Sequence, residues 1–185
     1  RKEEDVTAMV QKVVDDFGRI DVLVNNAATN SPAKVLDMPM KLWDAVVNTN
    51  LRAPFVCIKA VLPVMVKQGS GNIINISSMA ARRINVPFTG IVYDVTKAAI
   101  DRLTWGLAEE LRQNNIAVNG LAPANTITEG WSYLTPDVDK KDWQDPAMWG
   151  KFAVFLASRD ANTLTGKILS VDEAQEECRK AGWAL

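Results

Sequence analysis

Three short apolar runs divide this chain, and each stops at polar residues. Val22-Leu23-Val24 meets Asn25-Asn26, the segment "NIINI" over 72–76 meets Ser77-Ser78, and "IAVNGLA" meets Pro123-Ala124-Asn125. Runs of this length, rich in Val and Ile, read as strands covered on both faces. A fourth run, "GKILSVD", follows near the C-terminal end. The stretches between them are helical in period. Val6, Met9, Val10, Val13, Val14 and Phe17 form a stripe that Gly18 terminates. Further helices are expected over about 40–68, bent at Pro54 or Pro63, over about 93–114, and over about 148–157. In the second of these, Val95, Ala99, Leu103, Leu107 and Leu111 share one ridge, with Asp101, Arg102, Glu109 and Arg112 off it. Strands alternating with helices imply an α/β fold built on a parallel sheet. Ligands of such sheets bind beyond the carboxyl ends of the strands. The polar strand endings therefore converge on one edge, which is the first functional signal.

Composition narrows the function. A chain of 185 residues suffices for one domain with a sizeable core, residues 1–185, with a loop-rich insertion at 126–150. A formal net charge of −1 offers no electrostatic reason to bind nucleic acid or an anionic membrane. No apolar run reaches the ~18 residues of a spanning helix, so no membrane partner is expected. Cys57 and Cys178 make no disulfide framework, which points to a reducing, cytoplasmic setting. With no histidine and two cysteines, no zinc site is expected, and a Ser-His-Asp mechanism has no imidazole to act as base.

The stretch Tyr93-Asp94-Val95-Thr96-Lys97 opens the helix that follows the second strand. Taken alone, "YDVTK" is a weak signal, since a half-buried tyrosine and a solvated lysine would satisfy it. The spacing nevertheless puts a phenol and an ammonium group on one helix face. A phenol titrates near ~10 and is a poor base at neutral pH. Lowering that by ~3 units takes roughly 4 kcal/mol, about what one cation at ~4 Å supplies at an effective dielectric near 20. Lys97 is thus expected to turn Tyr93 into a working acid/base.

"LVNNA", "VNTNL", "NIINISS", "YDVTK" and "VNGLAPANTIT", in this order and spacing, resemble the short-chain dehydrogenase/reductase family, and the likeness runs from the opening helix to "TLTGKILSVD". The resemblance implies a Rossmann-like doubly wound parallel sheet. It also implies an oxidoreductase that interconverts an alcohol and a carbonyl with NAD or NADP. By position, Tyr93 matches the acid/base, and Lys97 the residue that lowers its pKa and holds the nicotinamide ribose. Ser78 matches the hydroxyl that bonds the substrate oxygen, with Ser77 as competitor. Asn50 matches the residue that orders a relay water, with Asn48 as competitor and a purely structural role as the alternative. Asn25, Ala27 and Ala28 match the "NNAG" turn, where Asn25 braces the sheet and the Ala27 backbone lies against the adenosine ribose. Pro123, Ile127 and Thr128 match the "PGxIxT" segment that grips the carboxamide and phosphates. Ala28 and Ala124 stand where the family usually has glycine, which bears on both backbone paths. The 126–150 segment matches the cap over the substrate pocket. Its Trp131, Tyr133, Trp143 and Trp149 suit an apolar or ring-bearing substrate, or else pack the cap onto the body. Family members are commonly homotetramers or dimers joined through the 40–68 and 93–114 helices.

The family's glycine-rich turn, TGxxxGxG, is expected ahead of Arg1; Gly69 and Gly71 precede a strand and read as a plain turn. The chain thus reads as the catalytic part of the site without the first strands, either as a piece of a longer enzyme or as a short relative serving as a binding or regulatory module. In either case weak binding of nicotinamide cofactors by this polypeptide is expected, because the phosphate cradle at a helix N-terminus is not among its motifs. The tail "EAQEECRKAGWAL" departs from the usual "DGG" ending.

Overall fold

A computed structural model describes residues 2–82, 90–134 and 136–184, without the side chains of Trp131, Tyr133 and Leu134. Four strands form one sheet in the order β1 (Val22–Asn25), β2 (Gly71–Ile76), β3 (Ile116–Leu121), β4 (Ile168–Leu169), every neighbouring pair parallel. Helices α1 (Glu3–Phe17), α2 (Met40–Val47), α3 (Ala53–Gln68), α4 (Ile91–Leu111), α5 (Glu129–Leu134), α6 (Pro146–Ala157) and α7 (Val171–Lys180) precede, join or follow them.

Consecutive strand residues point to opposite faces, so Ile73 and Ile74 of β2 seed two separate cores. Ile73 packs with Val10 of α1, Ile58, Val61 and Met65 of α3, and Leu107 and Leu111 of α4. Ile74 packs on the other face with Phe152, Phe155 and Leu156 of α6 and Cys178 of α7. Each such side chain, fully withdrawn from water, contributes about 1.5–3 kcal/mol. All of β3 is buried, as a parallel strand covered on both faces should be.

Four elements depart from expectation. Among the described residues strand β1 pairs with β2 alone and forms the sheet edge, and Val22 and Val24 remain 37 % and 46 % exposed instead of being covered on both faces. The 40–68 helix is interrupted by a π-turn at Asn48–Arg52, beside Pro54, one of the two prolines expected to bend it, while Pro63 sits within α3. Pro54 has no amide hydrogen to give the carbonyl of Asn50, so the ladder slips, and the Ala53 amide reaches back to Asn48. This stretch, Met40–Gln68, is 29 residues long with a mean hydropathy of 1.3 in its most apolar window, so by length and composition it could cross a membrane, contrary to expectation. Here it packs on α1, α4 and the sheet, with 28 % of that window buried. On α4 the buried face is rotated from the expected ridge: Val95 is 47 % exposed, while Thr96, Lys97, Asp101 and Thr104 are buried. Finally, α7 is a helix that apolar periodicity does not announce. Its start is a capping box in which Ser170 and Glu173 bond each other's backbone amides.

Candidate active site

The carboxyl ends of the strands open onto a cavity of about 1030 Å³. Strand β2 ends there in Ser77 and Ser78, whose side chains diverge. Ser77 is buried and donates its hydroxyl hydrogen to the carboxylate of Asp101. Ser78 lines the cavity, caps the short turn Met79–Ala81 by accepting from the Ala80 amide at 3.1 Å, and acts to lower the pKa of the Tyr93 phenol. Of the two serines, both of which border the cavity, Ser78 is the one that acts on the phenol, while Ser77 is tied to Asp101.

Helix α4 brings in the rest. Gly90 precedes it at φ 104°, and a side chain there would collide with the backbone carbonyl of Ser31, so glycine lets the start of α4 close onto that loop. Tyr93 and Lys97 follow one turn apart, both lining the cavity. The Lys97 ammonium lies 5.5 Å from the centre of the Tyr93 ring and donates to the carbonyl of Ile76 at 2.7 Å. Burial lowers its pKa to about 8, opposed by the negative charge of Asp101. The phenol of Tyr93 is shifted upward, chiefly by burial and also by Asp94, with the Ser78 bond pulling the other way. This corrects the expectation that Lys97 brings that pKa down in the chain by itself: the ammonium sits over the ring and on a backbone carbonyl, and the desolvation of Tyr93 dominates.

Asn50 is 1 % exposed and lies in the π-turn. Its amide brackets Thr29, accepting from the backbone N–H and donating to the backbone C=O, each at 2.8 Å, and also donates to the hydroxyl of Thr96 at 3.1 Å. Asn50 does not line the cavity but fixes the turn that does. Asn25 lies behind the cavity too, donating to Asn75 at 2.8 Å; Asn75 donates on to Thr104, so a polar ladder ties β1 to β2 and α4. Ala27, Ala28, Pro123 and Thr128 line the cavity, whereas Ile127 is 44 % exposed and is not among the lining residues.

Two residues that sequence reasoning passed over hold this arrangement. Gln144 accepts from the Trp149 indole at 3.2 Å and the Ala124 amide at 3.3 Å, while its backbone bonds Asn125 and Ile127, stapling together the ends of the 126–150 segment. Trp149 lines the cavity but is 7 % exposed and stacks edge-on against Phe152, so it packs the cap onto the body. The side chains of Trp131 and Tyr133 lie outside the described structure. Asp101 was the other omission, although its place four residues beyond Lys97 puts both on one face of α4.

The cavity fits the nicotinamide end of a dinucleotide. A buried ammonium with donors beyond its bond to Ile76 suits a ribose diol, and exposed small residues at Ala27 and Ala28 allow close backbone approach.

Comparison with known proteins bears on the whole arrangement. A profile of the short chain dehydrogenases matches residues 1–139. The 3-oxoacyl-[acyl-carrier-protein] reductase of Thermotoga maritima is 34 % identical over 178 residues, 91 % of this chain and 71 % of that protein. The 7alpha-hydroxysteroid dehydrogenase of Escherichia coli K12 is also 34 % identical over 178 residues, 91 % of this chain and 69 % of that one. Among solved structures, ElxO with NADP bound superimposes with a TM-score of 0.83 at 31 % identity, covering 92 % of this chain and 73 % of its own.

Proposed function

The chain belongs to the short-chain dehydrogenase/reductase family, a Rossmann-fold family, and from that premise we propose that it is an NAD(P)-dependent oxidoreductase interconverting an alcohol and a carbonyl, with Tyr93 as its acid/base. The observation that carries the reading is that Ser78, Tyr93 and Lys97 line one cavity at the strand tips, with the Lys97 ammonium against the Tyr93 ring. When bound, the nicotinamide accepts or supplies the hydride. Ser78 donates to the substrate oxygen and orients it toward Tyr93. The Tyr93 hydroxyl gives its proton to that oxygen in reduction and takes it back in oxidation, a contribution of roughly 10²–10⁴ in rate. Lys97 favours the phenolate by its charge, holds the ribose with its remaining donors and keeps the helix start against β2 through Ile76. Asn50 holds the Thr29 turn on the opposite wall. Asn25 braces that wall from behind, and Ala27, Ala28, Pro123 and Thr128 meet the cofactor, with Ile127 at the outer edge of the same segment.

The 126–150 segment caps the substrate: Thr126, Thr128, Gly130, Pro146 and Trp149 line that side of the cavity. A small-molecule substrate, a cytoplasmic setting and a homodimer or homotetramer complete the reading. Half-exposed apolar side chains on α3 and α4, among them Phe55, Val95 and Trp105, support association through these helices.

The test is consumption of reduced nicotinamide, offered at high concentration as NADH or NADPH with a panel of ketones and aldehydes. Turnover with one cofactor is expected. Absence of turnover with both, across the whole panel, contradicts the oxidoreductase reading and favours a non-catalytic module.

A further inference from the structure

Behind the cavity lies a charged group that the mechanism above does not use. Asp101 is 3 % exposed, as is Lys97, and the two follow one another up the inner face of α4. Its carboxylate is divided between two partners. One oxygen accepts from the hydroxyl of Ser77, the residue next to Ser78, and the other pairs with the Arg82 guanidinium at 3.3 Å. Arg82 in turn donates to the carbonyl of Ile168 in β4 at 2.8 Å and faces Glu173 of α7 at 3.5 Å.

We propose that Asp101 is a positioning residue for the proton-transfer group: it keeps the buried Lys97 amine in its charged form and, through Ser77, holds the two-serine turn so that Ser78 reaches Tyr93. The inference rests on the reading of Tyr93 and Lys97 as the acid–base pair.

The physical argument is one of compensation. An ammonium buried this deeply, with the neutral Ile76 carbonyl as its hydrogen-bond acceptor, tends to lose its proton. Among the described residues, the charged and titratable groups facing it are Tyr93 and Asp101 on its own helix, with Arg82 behind Asp101 and hydroxyls and a carbonyl at the end of β2. Asp101 supplies the negative charge of this set, and Arg82 draws on the same carboxylate. With the carboxylate gone, burial would act on Lys97 unopposed, and the amine would give up its proton more readily. A neutral amine cannot favour a phenolate. It also offers one donor fewer to a ribose.

The experiment is a titration of the Lys97 side chain by nuclear magnetic resonance in the full 185-residue chain, its signal identified by loss in Lys97→Arg. Asp101→Asn should lower the midpoint by roughly one unit or more, and Asp101→Glu should restore most of it. Ser77→Ala, which keeps the carboxylate and removes only the anchor, should move the midpoint far less. Arg82→Gln, which frees the carboxylate for Lys97, should raise it. A midpoint unmoved by Asp101→Asn overturns the proposal. Should that variant fail to fold, an unmoved or lowered midpoint in Arg82→Gln overturns it instead. The readout needs no turnover, so it stands or falls separately from the activity test above.

Discussion

The two walls of the cavity are built differently. One consists of β2, β3 and α4: its strands are buried, and the Ser78, Tyr93 and Lys97 side chains are held by hydrogen bonds or by packing of charge on ring. The other hangs from β1, a four-residue edge strand with its valines half exposed, and from the Asn26–Ala27–Ala28 turn, which is open to solvent. Proton-transfer groups must be held to fractions of an ångström. A wall that meets a cofactor mainly through backbone needs shape more than fixed side chains. What stiffness the second wall has comes from Asn50 and Asn25, both of which lean on the first wall through Thr96 and Asn75.

The largest expected difference between the walls is in packing. Ile73→Ala, at the centre of the α1–α3–α4 core, should cost about 2–5 kcal/mol in denaturant unfolding, whereas Val24→Ala on the open face of β1 should stay within about 0.5 kcal/mol. Comparable losses would mean that the two walls are equally built in. Next is the brace between them. Asn50→Ala removes three hydrogen bonds made by a buried side chain; a loss of about 2–4 kcal/mol is expected, against about 1 kcal/mol for half-buried Asn25→Ala.

That brace shows what could be read in advance and what could not. The strand tips, the Tyr93–Lys97 pair and the capped helices are local patterns, and local patterns carry over from chain to structure. The partners of Asn50 are Thr29 and Thr96, 21 and 46 residues away, and no spacing rule points to either. The exposure of β1 was hidden for a related reason: an apolar run reports that a strand can be buried, not what pairs with its far edge. Asp101 reads as a solvated helix charge until Ser77 and Arg82 are seen around it. The rise in the Tyr93 pKa was missed because a one-cation Coulomb argument leaves out the desolvation of the phenol itself. By contrast, α7 was readable: "SVDE" at 170–173 is a capping box in plain sequence.

A smaller effect separates function from stability within the first wall. The pKa of Lys97 is about 8 in the folded chain and near 10.5 unfolded, so below about pH 8 both states carry the charge and the folded state bears its full desolvation cost. Between about 8 and 10.5 the unfolded chain binds more protons, and this penalty fades as pH rises. Lys97→Met should therefore be more stable than the parent at pH 7, by about 1–3 kcal/mol, with the advantage shrinking towards pH 10 in parallel thermal melts. A less stable variant at pH 7 would mean that the bond to Ile76 outweighs the buried charge. Smallest of all should be binding of NADP to the isolated chain: calorimetry is expected to show weak affinity, since an exposed edge strand forms much of the second wall, and micromolar binding would show that wall to be better ordered than its exposure implies.

The account depends most on the phenol at the strand tips. Tyr93→Phe keeps the ring beneath Lys97 and removes only the hydroxyl. With a carbonyl that the parent chain reduces, it should lower turnover by roughly 10²–10⁴ while the affinity for NAD(P) stays nearly unchanged. Turnover equal to the parent's would contradict the assignment of Tyr93 as the acid/base.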